Sequence, residues 1–366
     1  MKKILFYSEA WGLGGIERFM LNVFGNLDKR QYEITLFNTY KWSDKNDLEL
    51  TKSHVKQYVA MSRKADLFIR TIEGARQWNA LLKRNSYDDV YVNTMNGFGF
   101  LYAAIAKRRG VKTRIVHSHN STFGGENRGV KSLLNAIGLS LWGNTATARL
   151  ACSKEAGEYL FPHKQFDIIH NGIEAARFKY RTIDRERIRS RYGIPEDAIV
   201  FGNIGRIEPA KNPIFLVNVL KELEFRGQNA YLLLVGDGSL SNAVKNEAEK
   251  LSLSDKLIMP GPESDPAAYY SALDYFTLPS FFEGAPIAVI EAITSGVPCL
   301  YSEAVEKIDV HSTRQTNVPL KPGVWADKIL EGLSSSIDRV KNESYHAIVN
   351  SDYTDNNMTT IVEKHL

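Results

Sequence analysis

Cysteine is scarce in this 366-residue chain, which has only Cys152 and Cys299, far apart in sequence. Two distant cysteines do not form the disulfide framework of a small secreted domain, and they fit a reducing cytoplasm. A run of 18 apolar residues is also missing, so we expect no membrane-spanning helix. The first residues, MKKILFYSEA, contain too short an apolar run for a signal peptide and predict a strand instead.

A cluster of residues at metal-ligand spacing is missing as well. His117 and His119 form an H-x-H pair, but no Cys, Asp or third His lies near them at ligand spacing. The pair ends a predicted strand, Arg114–His117, and ligands of open parallel sheets bind at the carboxyl ends of strands. A metal site, a structural role and a contact with substrate therefore all stay open, and the last is favoured.

The net charge of +4 is small but unevenly distributed. Residues 1–169 contain 25 Lys and Arg against 15 Asp and Glu, whereas residues 170–366 contain 21 against 27. The basic first part predicts an anionic partner, and chance imbalance on a solvated surface is the alternative. The run Lys107-Arg108-Arg109, at the end of a predicted helix, has the same two interpretations.

The composition, with 43% hydrophobic and 24% charged residues, is typical of a soluble globular protein, and the length suggests two domains. Strand-like and helix-like segments alternate along the chain, which predicts α/β architecture with parallel sheets. Residues 40–80 are the exception, since they look polar and irregular apart from an amphipathic stretch near Ala65–Trp78.

The loop after the first strand is rich in glycine. Gly12 and Gly14 begin a G-x-G-x-x-G pattern, but Glu17 occupies the third position. The second predicted strand ends at Phe37-Asn38 without the acidic residue that holds a ribose in dinucleotide-binding folds. An NAD-type site is therefore disfavoured.

Two carboxylates flank one loop and helix in the segment LPSFFEGAPIAVIEAITSGVPCL, residues 278–300. Pro286 suits the start of that helix and Gly296 a left-handed cap at its end. At about 1.5 Å per residue, Glu283 and Glu291 lie about 12 Å or less apart along the axis, with a phosphate-binding helix N-terminus between them. A nucleotide-sugar has that shape, with hydroxyl groups at both ends, although two ordinary surface glutamates would look the same.

Two cations share a loop after another predicted strand, in GRIEPAKNP, residues 205–213. Arg206 and Lys211 can together neutralise a diphosphate. The arginine would form bidentate hydrogen bonds with phosphate oxygens, and the lysine would act as a point charge. Scattered surface cations are the alternative interpretation.

Six segments, in the order GGIE, HSHN, NGI, GRIEPAKN, GDG and EGAPIAVIE, resemble the motifs of retaining glycosyltransferases of family 4. The resemblance implies the GT-B fold, which is α/β with two Rossmann-like domains whose parallel sheets face each other across a cleft. It implies an acceptor-side domain over 1–169, a donor domain over 170–345, and a last helix within 346–366 that returns to the first domain.

The resemblance also assigns roles to residues. Its catalytic set comprises His119, Glu283, Arg206 and Lys211. Its donor-binding set comprises Gly14, Gly15, Arg206, Lys211, Gly236, Gly261, Glu283, Gly284, Ala285, Pro286, Ile287 and Glu291. Its acceptor-side set comprises His117 and Asn120. Tyr301-Ser302-Glu303 stands where the family often has Ser-Asp, so the donor sugar stays open.

The function implied by the resemblance is retaining, metal-independent transfer of a hexose or N-acetylhexosamine from a nucleoside-diphosphate sugar, with a UDP-sugar favoured. No cofactor, metal or nucleic acid is expected. The implied acceptor is a glycan or a lipid-linked oligosaccharide of exopolysaccharide, capsule or lipopolysaccharide synthesis, used in the cytoplasm at an anionic membrane surface. A nucleotide-sugar 2-epimerase on the same fold and an inactive sugar-binding protein are the alternatives.

Overall fold

The chain forms two compact units in this computed structural model: Met1–Gly172 with Asp355–Leu366, and Ile173–Thr354. The structure describes all residues except 13, 120–127, 264, 282, 284–285, 306, 311–313 and 335–340. Each unit is built on one parallel sheet, as the alternating pattern predicts. The domain bounds 1–169, 170–345 and 346–366 stay a prediction, because compactness alone does not test independent folding.

The first unit contains a seven-stranded sheet in the order β3-β2-β1-β4-β5-β6-β7. Its strands are β1 (Lys2–Trp11), β2 (Tyr32–Lys41), β3 (Lys56–Met61), β4 (Asp89–Thr94), β5 (Thr113–Ser118), β6 (Ala148–Ala151) and β7 (Asp167–Ile168). The central strands are continuous apolar runs because both faces of a parallel sheet are covered. The irregular structure expected over residues 40–80 is wrong: the polar edge strand β3 carries too little apolar signal to be predicted.

The helices of the first unit cover both faces of that sheet. They are α1 (Gly15–Asn26), α2 (Asp47–Lys52), α3 (Leu67–Arg84), α4 (Gly99–Arg108), α5 (Arg128–Trp142) and α6 (Lys154–Leu160). The α1 helix buries Phe19, Met20, Val23 and Phe24, whose spacing puts them on one face of the helix. The Ser153 hydroxyl accepts the Ala156 N–H and caps the start of α6.

The second unit contains a six-stranded sheet in the order β10-β9-β8-β11-β12-β13. Its strands are β8 (Ile199–Ile204), β9 (Ala230–Val235), β10 (Leu257–Gly261), β11 (Tyr275–Leu278), β12 (Cys299–Ser302) and β13 (Gln315–Val318). The last of these, with the sequence QTNV, is a polar edge strand that was not predicted.

The remaining helices complete both units. They are α7 (Ala175–Phe178), α8 (Thr182–Arg191), α9 (Pro213–Phe225), α10 (Ser241–Lys250), α11 (Ala267–Ala272), α12 (Ile287–Thr294), α13 (Pro322–Ser334), α14 (Lys341–Val349) and α15 (Asp355–Glu363). Gly296, just past α12, has φ of 70°, which confirms the predicted left-handed cap. The last helix, α15, packs on α1 in the first unit and places Met358 and Val362 in its core. Within the described residues, no helix is both long and apolar enough to cross a bilayer.

Each sheet has one point where the strand order reverses, between β1 and β4 in the first unit and between β8 and β11 in the second. Connections leave such a pair of strands in opposite directions and open a crevice at the carboxyl ends, where ligands of open α/β sheets bind. The candidate residues of each unit lie at or beside its reversal point.

Candidate functional site

The loop after β8 presents the two candidate cations of the second unit. Arg206 is exposed and, among the described residues, forms no ion pair. Lys211 ends a 3-10 turn, Pro209–Lys211, and is half-buried. Both residues line a depression beside the start of α9. This arrangement presents one guanidinium and one ammonium at the reversal point of the sheet.

The loop after β11 meets the loop after β8. The Phe281 N–H donates to the Ala210 carbonyl at 2.9 Å, which ties the two loops together through backbone. The Glu283 carboxylate pairs with Lys211 and accepts a hydrogen bond from the Ser280 hydroxyl at 2.6 Å. Only 10% of the Glu283 side chain is exposed, so its charge is compensated locally by these two groups. Two predicted site residues, 72 positions apart in sequence, are therefore in direct contact.

The second carboxylate, Glu291, lies on α12 and is oriented by a tyrosine. The buried Tyr270 hydroxyl donates to Glu291 Oε2 at 2.5 Å. Burial, with the Glu291 charge beside it, raises the pKa of Tyr270 well above its usual value of 10.0, so the phenol stays protonated and donates. A carboxylate held in this way can accept further hydrogen bonds from hydroxyl groups of a ligand.

The start of α12 lies between these two carboxylates in sequence. Pro286 is its N-cap, Ile287 its first residue, and no side chain in the described part of the chain caps the helix. Helix N-termini without such a cap offer N–H groups and a partial positive charge to an anion. Gly284 and Ala285, the predicted site residues just before it, lie outside the described residues.

Glycine is required where the β8 and β9 loops touch. Gly236 has φ of 138°, and a Cβ on it would lie 1.9 Å from the Gly205 carbonyl oxygen. The Gly236 N–H donates to the carbonyl of Gly261, whose φ is 90°. A side chain at position 236 would push these loops apart and change the shape of the depression.

The first unit positions His119 just after β5, next to the reversal point. Its Nε2 lies 2.8 Å from Asn93 Oδ1 at the end of β4, while Asn93 Nδ2 donates to the Tyr7 carbonyl at 3.1 Å. The bond to Tyr7 fixes which end of the amide faces the histidine. His119 Nε2 must therefore donate, and Nδ1 is left as a hydrogen-bond acceptor. Burial lowers the pKa of His119 to about 3, so this acceptor is neutral at physiological pH.

His117 lies behind His119, with their ring centroids 4.0 Å apart. It is fully buried, and its Nδ1 is 2.9 Å from the Tyr91 hydroxyl. Burial, with His119 beside it, lowers the pKa of His117 well below 6.5. Two adjacent neutral imidazoles are compatible with this buried site, whereas two charged ones would not be. The acceptor-side role of His117 stays a prediction, and Asn120 lies outside the described residues.

The predicted glycines of the first unit lie at the start of α1. Gly14 is its N-cap in extended conformation, with φ of −147°, and Gly15 is its first residue. A Cβ on Gly15 would meet nothing within 4 Å, so a ligand could approach the backbone there. Among the described residues, no group of three or more His, Cys, Asp or Glu side chains could hold a metal ion.

Three residues of these sites were not identified from the sequence, namely Asn93, Tyr270 and Ser280. Asn93 and Ser280 carry a usable signal, because each is a polar residue that ends or follows a buried strand at the edge where ligands bind. Tyr270 carries no such signal, since it resembles an ordinary core residue of α11.

Two family models together match most of the chain. The model for Glycosyltransferase Family 4 matches residues 13–177, and the model for Glycosyl transferases group 1 matches residues 184–343. The EpsF protein of Bacillus subtilis, provisionally named a glycosyltransferase, is 27% identical over 90% of this chain and 87% of its own.

Two further relatives are informative. The UDP-Gal:alpha-D-GlcNAc-diphosphoundecaprenol alpha-1,3-galactosyltransferase of Escherichia coli is 27% identical over 79% of this chain and 76% of its own. The structure of HepE from Anabaena, in complex with UDP and glucose, has a TM-score of 0.80 at 15% identity, with 100% of this chain and 99% of HepE covered. The chain therefore belongs to the family-4 glycosyltransferases and has the GT-B fold, as its motifs predict.

Proposed function

We propose that this glycosyltransferase moves a hexose or N-acetylhexosamine from a UDP-sugar to a glycan or lipid-linked oligosaccharide acceptor. The reaction would retain the anomeric configuration and serve exopolysaccharide, capsule or lipopolysaccharide synthesis. The observation that carries the proposal is the cluster at the reversal point of the second sheet, where Arg206 and Lys211 line one depression and Lys211 pairs with Glu283.

The donor follows from the chemistry of that cluster. Arg206, without an ionic partner in the described part of the chain, offers a guanidinium for bidentate contact with phosphate, and the uncapped start of α12 offers N–H groups. Glu291, held by Tyr270, would accept from the ribose hydroxyls, and Glu283 from the donor-sugar hydroxyls. The names of the Escherichia coli relative and of the HepE complex both contain UDP, which favours uridine over guanosine nucleotides.

The mechanism would rest on stabilising the leaving diphosphate. The bond between the anomeric carbon and the phosphate oxygen breaks, and the acceptor oxygen bonds to the same face of that carbon. The released phosphate oxygen takes the acceptor proton. Charge developing on the diphosphate is neutralised by Arg206, Lys211 and backbone N–H groups, so we propose that no divalent metal or other cofactor takes part.

His119 would serve as a neutral hydrogen-bond acceptor rather than as a charged group. Its Nδ1 accepts from a hydroxyl of the sugar or the acceptor, while Asn93 holds Nε2–H. Its low pKa, about 3, makes it a poor general base, which agrees with transfer of the acceptor proton to phosphate.

The acceptor is assigned from charge and from a relative. Residues 1–169 carry the excess of Lys and Arg, and the Escherichia coli relative is named for a diphosphoundecaprenol-linked acceptor. We propose a polyprenyl-diphosphate-linked sugar, used in the cytoplasm at the inner face of the membrane.

A donor screen tests the proposal. The purified protein is incubated with UDP- and GDP-sugars, with and without acceptor lipid, in the presence of EDTA, and nucleoside diphosphate release is measured. We expect UDP release that EDTA does not reduce and an α-linked product by NMR. Activity lost to EDTA and restored by Mn²⁺ would contradict metal independence, and an epimerised nucleotide-sugar or binding alone would contradict transfer.

A further inference from the structure

The first two turns of α3 contain no fully buried apolar side chain. The buried residues of this helix begin at Gly74, the eighth position, and continue with Trp78, Leu81 and Leu82. The preceding turns nevertheless contain four large apolar residues, and we call these the α3 apolar surface: Leu67 (45% exposed), Phe68 (76%), Ile69 (50%) and Ile72 (52%).

This exposure is not a consequence of ordinary amphipathic packing. Successive residues of a helix are about 100° apart, so Leu67, Phe68 and Ile69 span more than half of its circumference. No single core-facing side of the helix could cover all three. Contiguous exposed apolar patches are rare on monomeric proteins and mark contact with a protein or a membrane.

The charges around the α3 apolar surface favour an anionic occupant. Arg63 and Lys64 directly precede the helix and are exposed, and neither forms an ion pair in the part of the chain that the structure describes. The acidic Asp66 is the N-cap residue of the helix, and in sequence it lies between these cations and the α3 apolar surface. Exposed Phe and Ile with flanking Lys and Arg form the pattern of interfacial membrane binding.

Two of the nearby acidic groups are already neutralised. Glu9 pairs with Arg70 at 2.7 Å, and Glu73 forms two hydrogen bonds with Arg76 one turn further along α3. Asp66 forms no ion pair among the described residues, so it offsets one of the two charges of Arg63 and Lys64 and leaves a net charge of +1 beside the surface.

We propose that the α3 apolar surface, with Arg63 and Lys64, inserts into the headgroup region of an anionic phospholipid membrane. The side chains of Phe68 and Ile69 enter the acyl boundary, and the two cations contact lipid phosphates. This inference rests on the proposed function, which needs a lipid-linked acceptor at that membrane. A second copy of the chain and a protein partner are the competing occupants.

The test uses a label at the centre of this surface. Cys152 and Cys299 are each 2% exposed, and burial raises the pKa of both thiols to about 12, so neither reacts readily with a thiol reagent. A Phe68→Cys variant of the full chain is labelled with an environment-sensitive fluorophore. The matched control is Phe225→Cys, since Phe225 is 87% exposed on the second unit.

Labelled proteins are titrated with phosphatidylglycerol/phosphatidylcholine vesicles and with pure phosphatidylcholine vesicles, at low and high salt. We expect a blue shift, quenching by brominated acyl chains and salt-sensitive binding for the label at 68, and no change for the label at 225. In cosedimentation, Phe68→Ser/Ile69→Ser should lower vesicle partitioning about tenfold or more. Arg63→Gln and Lys64→Gln should each lower it about fivefold, on anionic vesicles only.

Two results would overturn the proposal. One is a label at 68 that stays in water while vesicles are present. The other is a label that responds to protein concentration without vesicles, together with a dimer in sedimentation velocity, which assigns the surface to a second copy.

Release of UDP in detergent with a short-chain acceptor separates this inference from the proposed function. Phe68→Ser/Ile69→Ser should keep the wild-type rate there. Inactivity of the wild-type protein with every donor, in spite of normal vesicle binding, would refute the proposed function alone.

Discussion

The hydrogen bond between Asn93 and His119 makes a specific prediction about catalysis. Replacing Asn93 by Leu keeps a similar volume but removes the acceptor of His119 Nε2–H and the donor to the Tyr7 carbonyl. The imidazole is then free to carry its proton on Nδ1. In that tautomer the atom that should accept from a substrate hydroxyl becomes a donor, and the contact is lost or repulsive.

The magnitude follows from the contacts. Asn93 is 1% exposed, so losing its buried hydrogen bonds to Tyr7 and His119 should lower the free energy of unfolding by about 1–3 kcal/mol. The hydrogen bond from the substrate hydroxyl to His119 Nδ1 would be lost, and in the other tautomer two donors would face each other. Together these effects cost about 1.5–3 kcal/mol and should lower kcat/KM by roughly 10- to 150-fold. Affinity for UDP alone should not change, because the side chains proposed to bind UDP belong to the second unit.

Two measurements check this reasoning. Nitrogen-15 NMR of the imidazoles should show His119 as the Nε2–H tautomer in the wild-type protein and as a mixture in Asn93→Leu. In a double-mutant cycle, Asn93→Leu should add little to the loss caused by His119→Ala, because it acts through that side chain. An Nδ1–H tautomer in the wild type, or fully additive losses, would refute the role assigned to Asn93.

Further predictions concern the cations, the ribose carboxylate and pH. Arg206→Ala and Lys211→Met should each lower kcat by about 10²–10³-fold in the UDP-release assay. Only Lys211→Met should also lower the urea midpoint, because it leaves a carboxylate without its cation; equal midpoints would contradict that pairing. Tyr270→Phe should weaken UDP binding by about 1 kcal/mol in calorimetry, and an unchanged Kd would show that Glu291 needs no orienting bond. Since the pKa of His119 is about 3 in the folded protein and 6.5 ordinarily, the unfolded chain binds more protons between those values. The contribution of this group to the free energy of unfolding should be complete above pH 6.5 and fall by about 1.4 kcal/mol per pH unit below it. In urea unfolding, His119→Gln should therefore make the free energy of unfolding less dependent on pH. A pH dependence identical to that of the wild type would contradict the low pKa.

Much of the donor-side cluster could be predicted from the sequence, because the carboxyl ends of parallel strands share one edge. Arg206 and Glu283 each follow a buried apolar strand, and that position alone indicates a ligand site. The pairing of Lys211 with Glu283 could not be predicted, since it depends on β8 and β11 being neighbours across a reversal of strand order. Apolar periodicity identifies strands but does not order them.

The polar edge strands could not be identified from the sequence at all. β3 and β13 contain few buried side chains, so neither produces the apolar pattern by which a strand is identified. The first turns of α3 are apolar without being buried, and sequence alone would have placed them in the core. The orientation of His119 could not be predicted either, because it depends on a hydrogen bond to the side-chain amide of Asn93, which lies 26 positions away in sequence.

The return of α15 to the first unit has a consequence for biosynthesis. Met358 and Val362 belong to the same apolar cluster as Phe24, yet a ribosome synthesises them more than 330 residues later. During translation, part of the core of the first unit therefore stays exposed to water until the second unit has been synthesised. Exposed apolar surface of this kind is where nascent chains aggregate and where chaperones bind. In a truncated product that stops before Asp355, the apolar surface that α15 covers would remain exposed. Cellular quality control could use this exposed surface to distinguish unfinished chains from complete ones.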